Sequence, residues 1–422
     1  MDICRTTNTE SVIMVNVQSH KKPGTTITYD QLLTNAVEWV KYANINKNYG
    51  IKYWEIGNEV DIDDGKYLTK QEYLNLLIEF GTEMKKIDPS IKVGAGVAFK
   101  QDWFNFMVEN GVEHFDFMIP HIKTGPFDSY QEYKENNWKY ISRLEQTIDA
   151  IDQYAPEELK NKIEILLTEA NLAPSPGNNL HGALMTFELL SNSLTEDKRF
   201  TYAHYWPTNN PWNFQLDVLD ALDAENQLTA IGKSVQLIAL FIQPDILNVS
   251  RVSKYIRSYA SVNSEENILS IMLVNKNDDV ENISLNLLNY NGAERYEQWE
   301  FTGDSPADQN PELSLFAVRD YDGNIELKPH SVTVLNFKDG LELMEPPVPT
   351  SIPEILDTNT EFMLYPNPAS GFIIIDKIEK SINPKKISVQ IFGTNGSLLQ
   401  ETDAYILSEK INVKSKKKES AM

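Results

Sequence analysis

Cysteine is almost absent: Cys4 is the single thiol in 422 residues. One thiol excludes a disulfide framework or a thiolate metal cluster within the chain, so stability must come from packing. Positive charge is also scarce. Lys and Arg number 38 against 61 Asp and Glu, a formal charge of −23, so a nucleic-acid backbone or an anionic bilayer is repelled over most of the surface. No run of eighteen or more apolar residues occurs, which removes a membrane-spanning helix. The opening MDICRTTNTESVIMV lacks the basic stretch and long apolar run of a secretory leader. Glycine-rich phosphate loops, HExxH and GxSxG are missing too, which takes away the commonest nucleotide, zinc-protease and serine-hydrolase readings. DIDDG at 61–65 is one residue too short for the alternating ligands of a calcium loop and reads as an acidic turn. Nothing here calls for a metal or another cofactor.

What is present is ordinary globular composition, 41% hydrophobic and 23% charged, with enough length for two or three domains. A neutral partner suits such a surface, and the 10% aromatic share is compatible with rings that stack on sugars. Up to about residue 238, short apolar runs alternate with helical periodicity. Strands are expected at SVIMVNV (11–17), IKYWEIG (51–57), IKVGAGVAF (91–99), HFDFMIPHI (114–122), KIEILLTEANL (162–172) and FTYAHYW (200–206). Thr28 with Gln31, and Thr69 with Glu72, match the helix capping box. The second of these helices carries Tyr73, Leu77, Phe80, Met84 and Ile87 on one stripe before Asp88-Pro89 stops it. Strand and helix alternation predicts a parallel sheet. From 239 to 344 the pattern becomes short strands with turn signals, YIRSYASV, NILSIMLVN, NISLNLLN, an Asp322-Gly323 turn and HSVTVLNF, an antiparallel β-sandwich. The prolines of 345–361 mark an extended linker, and 362–422 a small β-rich module with a TNG hairpin at 394–396. The Lys-rich KSKKKES near the end reads as a solvated tail.

In a parallel αβ barrel, catalytic groups sit at the C-terminal ends of the strands. Two of the expected strands end in a carboxylate, Glu59 after IKYWEIGN and Glu169 after EILLT. Either one alone would most simply be a salt-bridged barrel residue. As a pair on different strands they can converge across one bond, as glycoside hydrolysis requires: one protonates the leaving oxygen and the other attacks the sugar carbon.

WEIGNE and LLTEAN resemble the acid/base and nucleophile strands of the retaining clan A glycoside hydrolases, above all the α-L-arabinofuranosidase and β-xylosidase families. The resemblance implies a (β/α)8 TIM barrel, with Glu59 as general acid/base on its fourth strand, Asn58 bound to the sugar 2-hydroxyl, and Glu169 as nucleophile on its seventh. The acid would keep its proton near neutral pH while its partner stays ionised. By the same resemblance His121 borders the pocket at the end of the sixth strand, and Trp206 in AHYWPTNN is the aromatic ring beneath the sugar. His204 and Tyr205 lie beside Trp206, and Asn16 in VIMVNV is similar to an asparagine of the third strand. IMLVNKN and KPHSVTVLNF look like the accessory sandwich that follows such barrels. Because SVIMVNV looks like the third strand, the first two βα units are expected to be absent, as in an N-terminally truncated product whose six strands cannot close the barrel.

FMLYPNPASGFIIID with VQIFGTNGSLLQE resembles the C-terminal sorting domain of type IX secretion in Bacteroidetes, although it ends in a Lys-rich stretch. That implies the type IX secretion machinery as a partner and a secreted or cell-surface location. The expectation is thus a secreted retaining glycosidase acting on a plant or algal polysaccharide or oligosaccharide, without nucleic acid or a membrane span. The alternative is a noncatalytic carbohydrate-binding or surface-displayed remnant of such an enzyme.

Overall fold

The computed structural model describes residues 4, 6, 7 and 9–346, apart from 63–65, 125–128, 137–138, 173–175, 210–218 and 251–252, together with five strands beyond residue 361. Residues up to Met344 form one compact unit and Glu345–Met422 a second.

The first unit opens with a parallel sheet made of β1 (Val12–Val15), β2 (Tyr53–Ile56), β3 (Lys92–Ala95), β4 (Phe117–Met118), β5 (His121–Thr124), β6 (Glu164–Leu172) and β7 (Phe200–Tyr205). β4 and β5 are successive pieces of the strand expected at 114–122. Both pair with β6, and the break between them holds Pro120, which has no N–H to give to a ladder. Among the described residues β1 has a neighbour only in β2, and β7 only in β6, so the curled sheet is open. Tyr53, Phe117, Ile119 and Leu166 fill its concave side, with Tyr53 edge-on to Phe117 at 5.5 Å and to Tyr202 at 5.2 Å.

Helices cover the outside: α1 (Tyr29–Val40), α2 (Lys70–Ile87), α3 (Gln101–Gly111), α4 (Tyr130–Glu135), α5 (Ser142–Tyr154), α6 (Leu180–Glu196) and α7 (Ala230–Phe241). Both expected capping boxes are formed, at Thr28 and Thr69. Along α2 the residues Tyr73, Leu77, Phe80 and Met84 are fully buried, while Ile87 is half-buried.

An antiparallel six-stranded sheet follows, in the order β13 (Glu312–Asp320), β12 (Arg295–Thr302), β15 (Ser331–Phe337), β10 (Ile268–Asn275), β9 (Ile256–Asn263), β8 (Asp245–Leu247). A two-stranded sheet, β11 (Glu281–Ser284) with β14 (Asn324–Leu327), lies against one face through Ile325 and Leu327, which join Ile271, Leu273, Leu335 and Phe337 in a second core. The opposite face, Met272, Val274, Val332 and Val334, belongs to the same core as the barrel helices. Phe187 of α6 stands edge-on to Tyr259 at 5.8 Å. This junction also buries an ionic group: Glu188 of α6 meets Arg257 Nε at 3.1 Å and Lys276 Nζ at 3.6 Å, all at most 4% exposed. Strands β12 and β13 were not among the expected ones. The signal of β12 is masked because Gln298 and Glu300 occupy buried positions, which breaks the apolar alternation.

In the second unit β16 (Phe362–Tyr365), β17 (Phe372–Lys377) and β20 (Glu409–Asn412) form one antiparallel sheet, and β18 (Lys386–Phe392) pairs with β19 (Leu398–Tyr405). The TNG turn, most of YPNPASG and nearly all of the expected linker lie outside the described residues.

Candidate active site

At the end of β2 the chain turns sharply. Gly57 has φ +83° and Glu59 has φ +48°. A Cβ at Gly57 would approach Val60 Cγ1 at 2.8 Å and Val17 Cγ2 at 3.0 Å, so glycine is required there for space as well as for conformation. The left-handed conformation of Glu59, strained for a non-glycine residue, persists because its surroundings are fastened. The buried Tyr73 hydroxyl donates to the Ile56 carbonyl at 2.6 Å and accepts from the Gly96 N–H at 2.6 Å, tying the ends of β2 and β3 to α2. Asp61, expected in an acidic turn, is wholly buried and accepts N–H groups of Ala98, Phe99 and Lys100 at 2.7 to 3.0 Å, clamping the β3–α3 loop against the turn.

Glu169 arrives from β6. In the parallel register His121 lies beside Glu169 and Lys123 beside Asn171, and the two-residue pleat puts His121 and Lys123 on one face. His121 is fully buried. Its Nδ1 lies 2.9 Å from Glu59 Oε1 and 3.7 Å from Glu169 Oε2, and its Nε2 is 3.1 Å from Thr168 Oγ1. An ionised Glu59 only accepts, so the proton resides on Nδ1 in that state. The Lys123 ammonium sits 3.4 Å from Glu59 Oε1 and 3.7 Å from Glu169 Oε2. It also lies over the Trp206 ring, 5.1 Å from its centre, and 5.7 Å from the centre of Phe99. Trp206 follows β7, its backbone N–H donating to the Ala170 carbonyl at 3.0 Å.

Glu59, Glu169, His121 and Trp206 therefore meet in one place, and Lys123 contacts or faces three of them. Asn58 is half-buried next to Glu59, its carbonyl accepting from Gln18 Nε2 at 3.3 Å. Asn16 is exposed and spends its side chain locally, accepting the Gln18 and Ser19 N–H groups and donating to Ser19 Oγ. His204 is half-buried, and burial holds its imidazole below the ordinary value. Tyr205 donates to the Leu219 carbonyl at 2.8 Å.

Two residues of the site escaped the sequence reading. Lys123 could have been found from the spacing alone, as the next same-face position after His121. Glu55 lies within WEIGNE but is almost completely buried, with Oε1 unpartnered. Burial first, then the charge of Glu169, push its carboxyl up to about 8 against the pull of Thr168. Glu59 behaves in the reverse way to the expected acid. Burial pushes its carboxyl up, but the His121 hydrogen bond and the Lys123 ammonium outweigh burial and hold it below the ordinary value.

One oxygen of Glu59, one of Glu169 and a ring nitrogen of His121 all lie within 4.8 Å of one another. That is donor chemistry a divalent cation can use. The Lys123 ammonium already faces the same two carboxylates and would repel a second cation, so the set does not fit a resident metal.

A curled parallel sheet covered by helices on its outer side, followed by an antiparallel sandwich, has counterparts among solved structures. The structure superposes on the thermostable GH51 α-L-arabinofuranosidase from Thermotoga petrophila RKU-1 with a TM-score of 0.63 at 20% identity, covering 80% of this chain and 77% of that one. The arabinose complex of the Thermotoga maritima α-L-arabinofuranosidase gives 0.62 at 19% identity over the same shares. Cel44A, the GH family 44 endoglucanase from Clostridium thermocellum, gives 0.54 at 15% identity, with 80% and 83% covered. At these identities the likeness establishes the fold. No family model and no curated protein sequence matches the chain.

Proposed function

We propose that the protein is a retaining glycoside hydrolase, most similar in action to the α-L-arabinofuranosidases whose fold it shares. The observation that carries this reading is the convergence of Glu59 and Glu169 from separate strands, with oxygens within 4.8 Å and an aromatic ring, Trp206, across the same space. Retention needs carboxyl groups roughly 5 to 5.5 Å apart, whereas inversion needs about 6.5 to 9.5 Å to seat a water. In this mechanism Glu169 attacks the anomeric carbon while Glu59 protonates the departing oxygen. Glu59 then takes a proton from the water that breaks the glycosyl ester. A sugar entering between the carboxylates must displace the Lys123 ammonium, and losing that cation raises the proton affinity of Glu59 when an acid is needed. Export through the type IX machinery to the cell surface or medium is part of the proposal and rests on the YPNPASG segment.

The placement of Lys123 against both carboxylates also favours a second reading, a carbohydrate-binding barrel without turnover. Incubation with activated 2-fluoro arabinofuranosides and xylosides separates the two. The hydrolase should gain the mass of one sugar, mapped by peptide analysis to Glu169, and the Glu169→Gln variant should gain none. A folded protein that binds these sugars without forming an adduct would support the binding reading.

A further inference from the structure

The glutamate site opens into a cavity of about 580 Å³ that shares His121 and Lys123 with it and continues to the turn before α5. Its walls are cationic in a chain that is otherwise strongly acidic: Lys123 comes from β5, Lys139 from the segment leading into α5, and Arg143 from the first turn of α5. These cations are committed to different degrees. Lys139 is held by Glu196 at 2.6 Å, and Lys123 by the two site glutamates. Arg143 donates from Nη1 to the neutral Gln146 side chain at 2.8 Å and has no carboxylate partner among the described residues. One carboxylate, the exposed Glu145, also borders the cavity.

A half-buried guanidinium with unused donors is built to take a planar or tetrahedral anion in bidentate fashion. Lys123 adds a second reason. A sugar between Glu59 and Glu169 strips the ammonium of both partners, and a neutral ligand offers nothing in exchange. An acidic substituent in the adjoining cavity would give Lys123 a new counter-ion within the sweep of its side chain. We propose that this cavity receives a sugar unit bearing an anionic group, a carboxylate or a sulfate ester, with Arg143 as its principal ligand and Lys123 turning from the glutamates to meet it. The volume lies in the ordinary range for ligand pockets. This inference rests on the glycosidase reading for the placement of the neighbouring sugar and extends that reading to an acidic glycan.

The test is calorimetric titration of the full chain and of Arg143→Gln with two matched pairs of probes. Trigalacturonate is compared with its fully methyl-esterified form, and a sulfated galactotriose with the unsulfated trisaccharide. Chromatography of the same samples reports cleavage. The expected result is an acidic probe bound about tenfold more tightly than its neutral twin, the size of one charge-assisted pair. That ratio should fall towards one in Arg143→Gln and, in the unaltered protein, with added salt, a readout that stands even if the variant folds poorly. Preference within the galacturonate pair alone identifies a carboxylate, and within the sulfated pair alone a sulfate. Equal binding of the twins, an undiminished ratio in Arg143→Gln, or no binding of any probe overturns the proposal. Acidic preference without cleavage supports the cavity and counts against hydrolysis, whereas cleavage without acidic preference does the reverse.

Discussion

Replacing Lys123 with Met keeps most of the side-chain volume and removes the charge that lies 3.4 Å from Glu59 and 3.7 Å from Glu169. At an effective dielectric of about 20, a pair of unit charges roughly 4 Å apart interacts by about 4 kcal/mol. The Lys123 side chain is 39% exposed, so solvent and salt reduce that figure to roughly 1 to 2 kcal/mol. The sign follows from what remains. Burial pushes the Glu59 carboxyl up, and with Lys123 gone His121 opposes it, through its hydrogen bond and its charge. The Glu59 carboxyl of Lys123→Met should therefore titrate at higher pH than in the parent. The assay is a ¹³C NMR titration of labelled glutamates, with the Glu59 resonance assigned by its loss in Glu59→Gln. If the site hydrolyses glycosides with Glu59 as acid, the alkaline limb of kcat/KM should move up by the same amount. A Glu59 resonance that titrates unchanged, or at lower pH, would refute the assignment of Lys123 as the group that controls it.

Glu188→Gln removes the carboxylate that meets the buried Arg257 and Lys276, so urea unfolding of the first unit should show a loss of about 3 to 5 kcal/mol; a loss below about 1 kcal/mol would mean that Glu188 is not what holds these two charges. Tyr73→Phe removes the hydroxyl that accepts the Gly96 N–H and donates to the Ile56 carbonyl, and should cost about 1 to 3 kcal/mol while weakening sugar binding through the β2 turn, measured by unfolding and titration together. Glu55 has a folded-state carboxyl near 8, above its unfolded value, so its contribution is fully present below the unfolded pKa and is lost as pH rises through the folded one. Glu55→Gln should therefore gain stability relative to the parent between about pH 4.5 and 8, and a stability difference independent of pH across that window would show that Glu55 is ionised.

Much of the fold was legible because it is carried by local rules. Thr28, Thr69 and the α2 stripe announce their helices through bonds and spacings within a few residues, and each expected barrel strand is present. Gln298 and Glu300 show where such rules fail: inward positions filled by polar groups leave no apolar alternation, so β12 went unmarked. Asn16 shows a different limit, as a residue whose place near the pocket was inferred from likeness alone and whose side chain closes a local turn.

The sequence by itself determined the alternation of strands and helices, the two carboxylates at strand ends and the acidic balance of the chain. These are properties of single residues and of short repeats. Tertiary structure alone decided that Lys123 stands between Glu59 and Glu169, that Glu59 is held below its ordinary proton affinity while Glu55 is raised, and that Arg143 borders the same cavity. Each of these depends on charges from different strands and helices being brought within a few ångströms, where Coulomb energy is large, and no local pattern records those distances.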